Sequence, residues 1–210
     1  LEELRARLDR EGNGKRHYLL TIAAAEGRAA EGLELPRIAQ SLDWINLMTY
    51  DFYGSLTKTT GHHSGLARSS LATPQGRTTV DAVKYFLDAG VPAAKINVGV
   101  PFYGRTFGDV GSDNNGRFQK FTKEGGFITW RDIVHTRLNA PDWQRHWDDE
   151  AQVPWLWNAK ERRMISYDDP QSLLIKANYV KQQGLGGIMY WEQRGDDNEQ
   201  LLDVLHEALR

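Results

Sequence analysis

The chain has 210 residues, 40% of them hydrophobic, with a formal net charge of −2 at pH 7 and no cysteine. This length and composition fit one domain, or one domain with an insertion, and exclude a disordered chain, disulfide bonds and thiolate metal sites. With Lys and Arg scattered and no apolar run near the roughly 18 residues of a membrane span, we expect neither nucleic acid nor a membrane as partner.

Helices and buried strands alternate along the first half of the chain. Leucines at helical spacing, glycines at helix ends and continuous apolar runs define these elements. They are a helix at 1–12, a strand at 17–25, a helix at 35–42, a strand at 43–50, a helix at 78–90 and a strand at 95–104. Between the second strand and the third helix lies a loop at 51–77, rich in Gly, Ser, Thr and His. Loops of that length are usually functional or mobile.

The pattern changes after the third strand. Turn residues and isolated aromatics fill 105–152, with one helix near "TWRDIVHTRL", and alternation at 153–167 predicts a hairpin. We therefore expect a small α+β insertion at 105–167.

Helix and strand alternation then returns to the end of the chain. It comprises a helix at 169–184, a strand at 186–192 and a helix at 197–209.

Four apolar strands separated by helices predict an α/β fold with a parallel sheet. Without the insertion, the α/β part at 1–104 and 168–210 has about 150 residues, whereas a closed eight-stranded barrel takes about 250. From the residues alone, an open four-stranded sheet and half of a barrel both fit.

Polar and aromatic side chains gather where three of these strands end. The carboxyl ends of parallel strands are where α/β proteins build their sites. The residues are Met48, Tyr50, Asp51 and Tyr53, then Phe102, Tyr103 and Arg105, then Tyr190, Trp191 and Glu192. Taken singly, each strand end also has a structural explanation. Its aromatics could cap the sheet, and Arg105 could form an ion pair with Asp51 or Glu192. Three strands that end alike favour a binding site.

These residue types fit a carbohydrate. Flat aromatic faces stack on sugar rings, while carboxylates, arginine and phenols hydrogen-bond to hydroxyl and amide groups. No P-loop, dinucleotide-binding glycine motif or G-x-S-x-G elbow is present. The adjacent His62 and His63 would face opposite ways, which argues against a metal site, and the acidic run at 148–150 fits a solvated turn. We expect no metal and no cofactor.

Four segments resemble glycoside hydrolase family 18, the chitinases. "LLTIAAA", "LDWINLMTYDFYG", "KINVGVPFYGRTF" and "GGIMYWEQRGD" match strands five to eight of that family in order, and "TGHHSGL" resembles its loop after strand six. The insertion at 105–167 resembles the family's chitin insertion domain. The resemblance covers essentially the whole chain and implies half of a TIM (β/α)8 barrel plus that insertion.

The resemblance also implies a substrate and roles for individual residues. Its substrate is β-1,4-linked N-acetylglucosamine, cleaved with the sugar's own acetamide oxygen as nucleophile. Tyr50 would hydrogen-bond the acetamide, Asp51 would contact the sugar at the cleavage point, and Trp191 would lie under it. The remaining implied contacts are Met48 on the floor, Tyr103 and Arg105 beside the sugar, and Glu192 in support.

Two departures from the family pattern bear on activity. Leu56 stands where many members have an aromatic, so we expect a stacking platform to be missing. The acid motif D-x-x-D-x-D-x-E does not occur anywhere in the 210 residues. We therefore expect this chain alone to be inactive. The functions left open are the C-terminal half of a chitinase, a lectin-like chitin-oligosaccharide binder, and a purely structural half-barrel.

The chain opens on a charged helix without an initiator Met, so we expect it to be part of a longer protein. The resemblance implies a secreted parent protein, although no signal peptide lies in this sequence. A four-stranded half-barrel would expose two sheet edges. We expect these edges to be covered by a second copy in a homodimer, or by the missing N-terminal half.

Overall fold

The structure, a computed structural model, describes residues 1–25, 30–74 and 76–210. Two sheets organise this part of the chain. One is parallel with the strand order β1-β2-β3-β9, and the other has five strands in the order β5-β4-β8-β7-β6. The predicted α/β class with a parallel sheet is therefore present, and a second, antiparallel sheet joins it.

The parallel sheet uses the four apolar runs found in the sequence. Its strands are β1 (Thr21–Ala24), β2 (Trp44–Leu47), β3 (Ile96–Pro101) and β9 (Gly187–Trp191). Each is shorter than its apolar run, because the residues beyond the paired segment form turns and loops. β3 lies in the middle and is the most buried, whereas β1 and β9 are only partly buried. β1 and β9 are therefore the least buried strands of this sheet.

Six α-helices accompany the strands in the described ranges. They are α1 (Glu2–Gly12), α2 (Leu35–Ser41), α3 (Thr79–Asp88), α4 (Trp130–Thr136), α5 (Pro170–Gln182) and α6 (Gln200–Leu209). Local chemistry fixes several helix starts. Thr78 accepts a hydrogen bond from the Asp81 amide at α3, and Asp169 forms a capping box with Ser172 at α5. Such caps satisfy backbone donors that the first helical turn leaves unpaired.

The antiparallel sheet contains two strands that sequence periodicity did not predict. Its strands are β4 (Tyr103–Gly108), β5 (Lys123–Thr129), β6 (Gln144–Asp148), β7 (Val153–Asn158) and β8 (Arg163–Ser166). The hairpin expected at 153–167 is β7 and β8. β5 contains two adjacent glycines and β6 is largely polar, so neither shows the alternation of a half-buried strand.

The third predicted strand, 95–104, is divided between the two sheets. β3 pairs with β2 and β9, whereas β4, which begins at Tyr103, pairs with β5 and β8. Only Phe102 separates β3 from β4. The chain thus passes from the parallel to the antiparallel sheet beside the predicted site.

The main hydrophobic core extends across both sheets. It combines Ile45, Val98 and Phe86 of the parallel part with Leu156 and Tyr167 of the antiparallel part. A smaller core around Phe52, Phe107 and Trp155 lies within the antiparallel part and beneath the long loop at 51–77. Shared packing of this kind holds the two sheets together.

A buried ion pair anchors the long loop to α5. Lys176 Nζ donates to both carboxylate oxygens of Asp168 at 2.7 Å, and both side chains are fully buried. Asp168 also accepts from Ser64 Oγ in the loop and from Ser172 Oγ, each at 2.6 Å. A buried carboxylate needs such partners, because removing it from water is costly. The loop therefore depends on this pair for its position.

In the described ranges, no helix combines the length and the apolar character that crossing a membrane requires.

Replacing Lys176 with methionine should destabilise the fold strongly. The substitution leaves Asp168 buried without its cation, a change that costs about 3 to 5 kcal/mol. Lys84→Met removes an exposed ion pair with Asp88 and should cost less than about 0.5 kcal/mol. Urea denaturation measures both free energies of unfolding. Equal losses in the two variants would show that the buried pair does not anchor the loop.

Candidate functional site

A cleft opens where β2, β3, β4 and β9 meet. It has a volume of about 190 Å³. Its lining residues are Asp51, Phe102, Tyr103, Arg105, Phe127, Thr129, Trp191, Glu192 and Gly195. The structure therefore brings together side chains that follow three different strands, as the sequence predicted for Asp51, Tyr103, Arg105, Trp191 and Glu192.

The Asp51 carboxylate is the most densely hydrogen-bonded group of the cleft. Arg105 Nε donates to Oδ1 at 2.8 Å, and Nη2 donates to Oδ2 at 2.7 Å. Tyr103 Oη donates to Oδ1 at 2.8 Å. A bidentate arginine fixes the plane of a carboxylate as well as its charge. Asp51 is thereby held in one orientation, with its side chain still 38% exposed to the cleft.

These contacts determine the protonation states of the cleft. Burial acts to raise the pKa of Asp51, but His63, Arg105 and Tyr103 together hold that pKa well below its usual value. Burial, and then the charge of Asp51, raise the pKa of Tyr103 far above that of a free phenol. At neutral pH the site therefore contains a carboxylate and a protonated phenol that donates to it.

The backbone at Asp51 is left-handed, with φ at +60°. Aspartate tolerates this region better than most residues do. The next residue is fixed from the loop, since the Phe52 amide donates to the His63 carbonyl at 3.0 Å. Together with Arg105 and Tyr103, this contact holds the sharp exit from β2 that turns the carboxylate into the cleft.

Trp191 supplies the apolar surface of the cleft. The residue is 56% exposed although it lies at the end of β9, and the Trp191–Glu192 peptide bond is cis. Glu192 is exposed beside it. Below, the Phe102 and Tyr190 rings stack at 4.7 Å. An exposed indole supported by the sheet is a flat apolar surface that a ligand can cover.

Four of the ten residues that the sequence placed at the strand ends do not line the cleft, namely Met48, Tyr50, Tyr53 and Tyr190. Tyr50 packs edge-on against Tyr103, with ring centroids 6.1 Å apart, and so lies next to the cleft wall. Burial and then the charge of Asp51 raise the pKa of Tyr50 to about 12, so its hydroxyl can donate at neutral pH. Met48 is partly buried, and its amide donates to the Ala24 carbonyl at 2.9 Å.

β5 also contributes to the cleft, and no sequence pattern predicted this strand. Phe127 is 70% exposed and lies opposite Arg105 in the β4–β5 register, with its ring 6.0 Å from that of Tyr103. Thr129, at the end of the same strand, also lines the cleft. Because β5 itself went unrecognised, no sequence signal placed Phe127 near the other aromatics.

The first residue of the acidic run at 148–150 is not solvated, although the sequence predicted a solvated turn there. Asp148 is buried, and it accepts hydrogen bonds from His62 Nε2 at 2.9 Å and from Arg117 Nη1 at 2.5 Å. The bond from His62 ties the loop at 51–77 to β6. The sequence-based interpretation was wrong because proximity to a buried histidine 86 residues away leaves no local pattern. No group of three or more potential metal ligands occurs in the described part of the chain.

Comparisons with known proteins agree with this arrangement. The sequence profile of Glycosyl hydrolases family 18 matches residues 1–196. Chitinase A1 of Niallia circulans is 41% identical over 225 aligned residues, which cover 100% of this chain and 32% of that protein. Chitotriosidase-1 of Mus musculus is 40% identical, over 89% of this chain and 41% of its own length. The chain thus spans less than half of either relative.

Solved structures of the same family share the fold. A family 18 N-acetylglucosaminidase from Paenibacillus barengoltzii superposes with a TM-score of 0.93 at 36% identity, over 98% of this chain and 61% of that one. YKL-39, solved in the presence of chitooligosaccharides, superposes with a TM-score of 0.89 at 26% identity, over 99% and 62%. From its profile match, its relatives and its fold, this chain belongs to glycoside hydrolase family 18.

Proposed function

We propose that this chain binds β-1,4-linked N-acetylglucosamine oligomers in the cleft, as the C-terminal half of a chitinase-like glycoside hydrolase. The observation that carries the proposal is the exposed Trp191 indole beside a fixed cluster of hydrogen-bonding groups. A sugar ring presents an apolar C–H face and a polar rim, and this cleft offers a partner for each.

The residues divide the recognition between them. Trp191 provides the stacking face, and the protonated hydroxyl of Tyr50 donates to the acetamide carbonyl. Asp51 accepts from the sugar at the cleavage point, while Tyr103 and Arg105 hold that carboxylate and contact neighbouring sugars. Phe127 widens the apolar surface on the side of β5.

Three further assignments follow the family pattern. Glu192 supports the cleft from the end of β9, and Met48, the residue after β2, supports the floor without lining the cleft itself. No metal or cofactor is needed, because in the substrate-assisted mechanism the acetamide of the sugar itself acts as nucleophile.

The parallel sheet supports a half-barrel architecture. We propose that its four strands, adjacent in the order β1-β2-β3-β9, are strands five to eight of an eight-stranded barrel, and its outer strands β1 and β9 are the least buried. We propose the division into a half-barrel at 1–104 and 168–210 and an insertion domain at 105–167. The start of β4 at Tyr103 lies within two residues of that boundary.

We propose that catalysis by this chain alone is absent or very weak. The 210 residues contain no D-x-x-D-x-D-x-E motif, and general acid catalysis contributes about 10² to 10⁴-fold to such reactions. Asp51 cannot readily replace the acid, because its low pKa leaves it ionised and without a proton to donate. A lectin-like role is the alternative, since the sugar-binding groups persist without the acid.

The partly covered edge strands also require a partner. Unpaired edges and an exposed inner face favour association, and twofold symmetry is the commonest arrangement of soluble homo-oligomers. We propose that a second copy of the chain covers these edges. An N-terminal chitinase segment would cover the same surface, and it is the competing occupant.

Removing the stacking face should weaken sugar binding. Trp191→Ala should reduce the affinity for N-acetylglucosamine oligomers by about 1 to 3 kcal/mol, on the scale of burying one large apolar side chain. Isothermal titration with the tetramer measures the change. Leu174→Ala, which truncates a comparably exposed apolar side chain outside the cleft, is the control and should bind normally. Unchanged affinity in Trp191→Ala would contradict the assignment.

The purified chain should not cleave the same oligomers. Product analysis by mass spectrometry after prolonged incubation measures turnover at high sensitivity. Binding without cleavage is the expected result. Clear cleavage that disappears in Asp51→Asn or Glu192→Gln would mean that one of these carboxylates serves as the acid after all.

The chain should associate in solution. Light scattering at several concentrations should give a mass near twice the monomer value of 23.9 kDa. A mass of one monomer throughout the range would exclude the homodimer and leave the N-terminal segment as the covering partner.

A further inference from the structure

The imidazole of His63 lies directly behind the Asp51 carboxylate. Its side chain is completely buried, and Nδ1 lies 3.6 Å from Asp51 Oδ1. The ring also packs against Tyr103, with centroids 5.4 Å apart. His63 thus touches both partners of the central hydrogen bond of the cleft without lining the cleft itself.

Both ring nitrogens of His63 lack a hydrogen-bond partner among the residues that the structure describes. Burying polar atoms without partners is unfavourable, and such cases call for an explanation. A phenyl ring would fill the same space without that cost. The distance of 3.6 Å is just too long for a hydrogen bond, so a shift of the carboxylate by less than 1 Å would complete one.

Two hydrogen bonds hold the backbone of His63. Its amide donates to Ser166 Oγ at 2.9 Å, and its carbonyl accepts from the Phe52 amide at 3.0 Å. The first contact fixes the loop to the end of β8, and the second fixes it beside Asp51. A closer approach therefore needs a movement of the Asp51 side chain or a rotation of the imidazole, without a shift of the loop backbone.

A sugar in the cleft would compete for the existing bonds. Asp51 Oδ1 accepts from Tyr103 Oη and Arg105 Nε, both of which line the cleft. When a ligand recruits one of these donors, Oδ1 loses a hydrogen bond that a buried carboxylate needs.

We propose that His63 is a positioning residue, which donates its Nδ1–H to Asp51 when a sugar takes over a donor from Tyr103 or Arg105. The inference rests on the proposed sugar-binding function. It gives the buried Nδ1 of His63 a partner, and it assigns a role to a residue that never touches the ligand.

The charges around His63 are compatible with this role. Burial lowers the pKa of His63, and the positive charge of Lys176 lowers it further, against the raising effects of Asp51 and Asp168. The ring is therefore neutral at neutral pH and carries one proton. With that proton on Nδ1, the ring can donate to Asp51 without bringing a second charge into the interior.

Binding of the N-acetylglucosamine tetramer tests the donor. His63→Phe keeps a ring but removes the donor, and it should weaken binding about tenfold, as expected for a hydrogen bond to a charged group. His63→Asn retains a donor and should stay within about threefold of the wild type. His62→Gln, which alters the adjacent buried ring that faces Asp148, is the matched control and should bind as the wild type does.

A second measurement needs no sugar. In ¹⁵N-labelled protein, Tyr103→Phe removes one donor from Asp51 Oδ1, so the Nδ1–H signal of His63 should move downfield while the His62 ring signals stay in place. This spectrum also decides the matter should His63→Phe fail to fold.

The two measurements separate the inference from the proposed function. If the wild type does not bind the tetramer, the proposed function fails. The role of His63 is then tested only by the shift of its Nδ1–H signal. Absence of that shift overturns the role of His63. So would wild-type affinity in a folded His63→Phe variant.

Discussion

The hydrogen-bonded pair between Asp51 and Arg105 is the contact on which the cleft depends. Asp51 follows β2 of the parallel sheet, whereas Arg105 lies in β4 of the antiparallel sheet. A half-buried carboxylate requires compensation, and both oxygens obtain it from one guanidinium. The same contact therefore satisfies a charge, sets its orientation and fixes the two sheets relative to each other at the cleft.

The long loop after β2 is held by buried side-chain bonds together with isolated backbone contacts such as Thr60 to Gln119 and Leu66 to Ala151. His62 bonds to Asp148 of β6, Ser64 bonds to Asp168, and the His63 amide bonds to Ser166 of β8. Successive residues of the loop thus contact different segments of the chain. A loop of this length without regular structure is ordered only when such buried bonds offset its conformational entropy.

The cleft combines rigidity with an exposed apolar face. Phe102 and the stacked Tyr190 support it from below, while Trp191 and Phe127 expose their rings on either side. Between them lies an ionised carboxylate whose partners are already in place. Because these groups are ordered before a ligand arrives, little free energy of binding would be spent on arranging them. This is the physical basis on which a sugar-binding role rests.

The sequence by itself determined the alternation of helices and apolar strands, the cluster of polar and aromatic residues at three strand ends, and the family. Apolar runs indicate which segments are buried on both faces. The carboxyl ends of parallel strands meet at one edge of the sheet because the strands run in the same direction. Asp51, Tyr103, Arg105, Trp191 and Glu192 could therefore be assigned to one site before any contact was known.

Only the tertiary structure decided which distant segments complete that site. It moved Tyr103 into a second sheet, brought Phe127 of an unrecognised strand to the cleft, buried Asp148 against His62 and placed His63 behind Asp51. β5 is glycine-rich and the loop at 51–77 has no periodicity, so neither local sequence indicates which residues it packs against. Such contacts join residues far apart in the chain, and they arise from the packing of the two sheets rather than from any pattern within one segment.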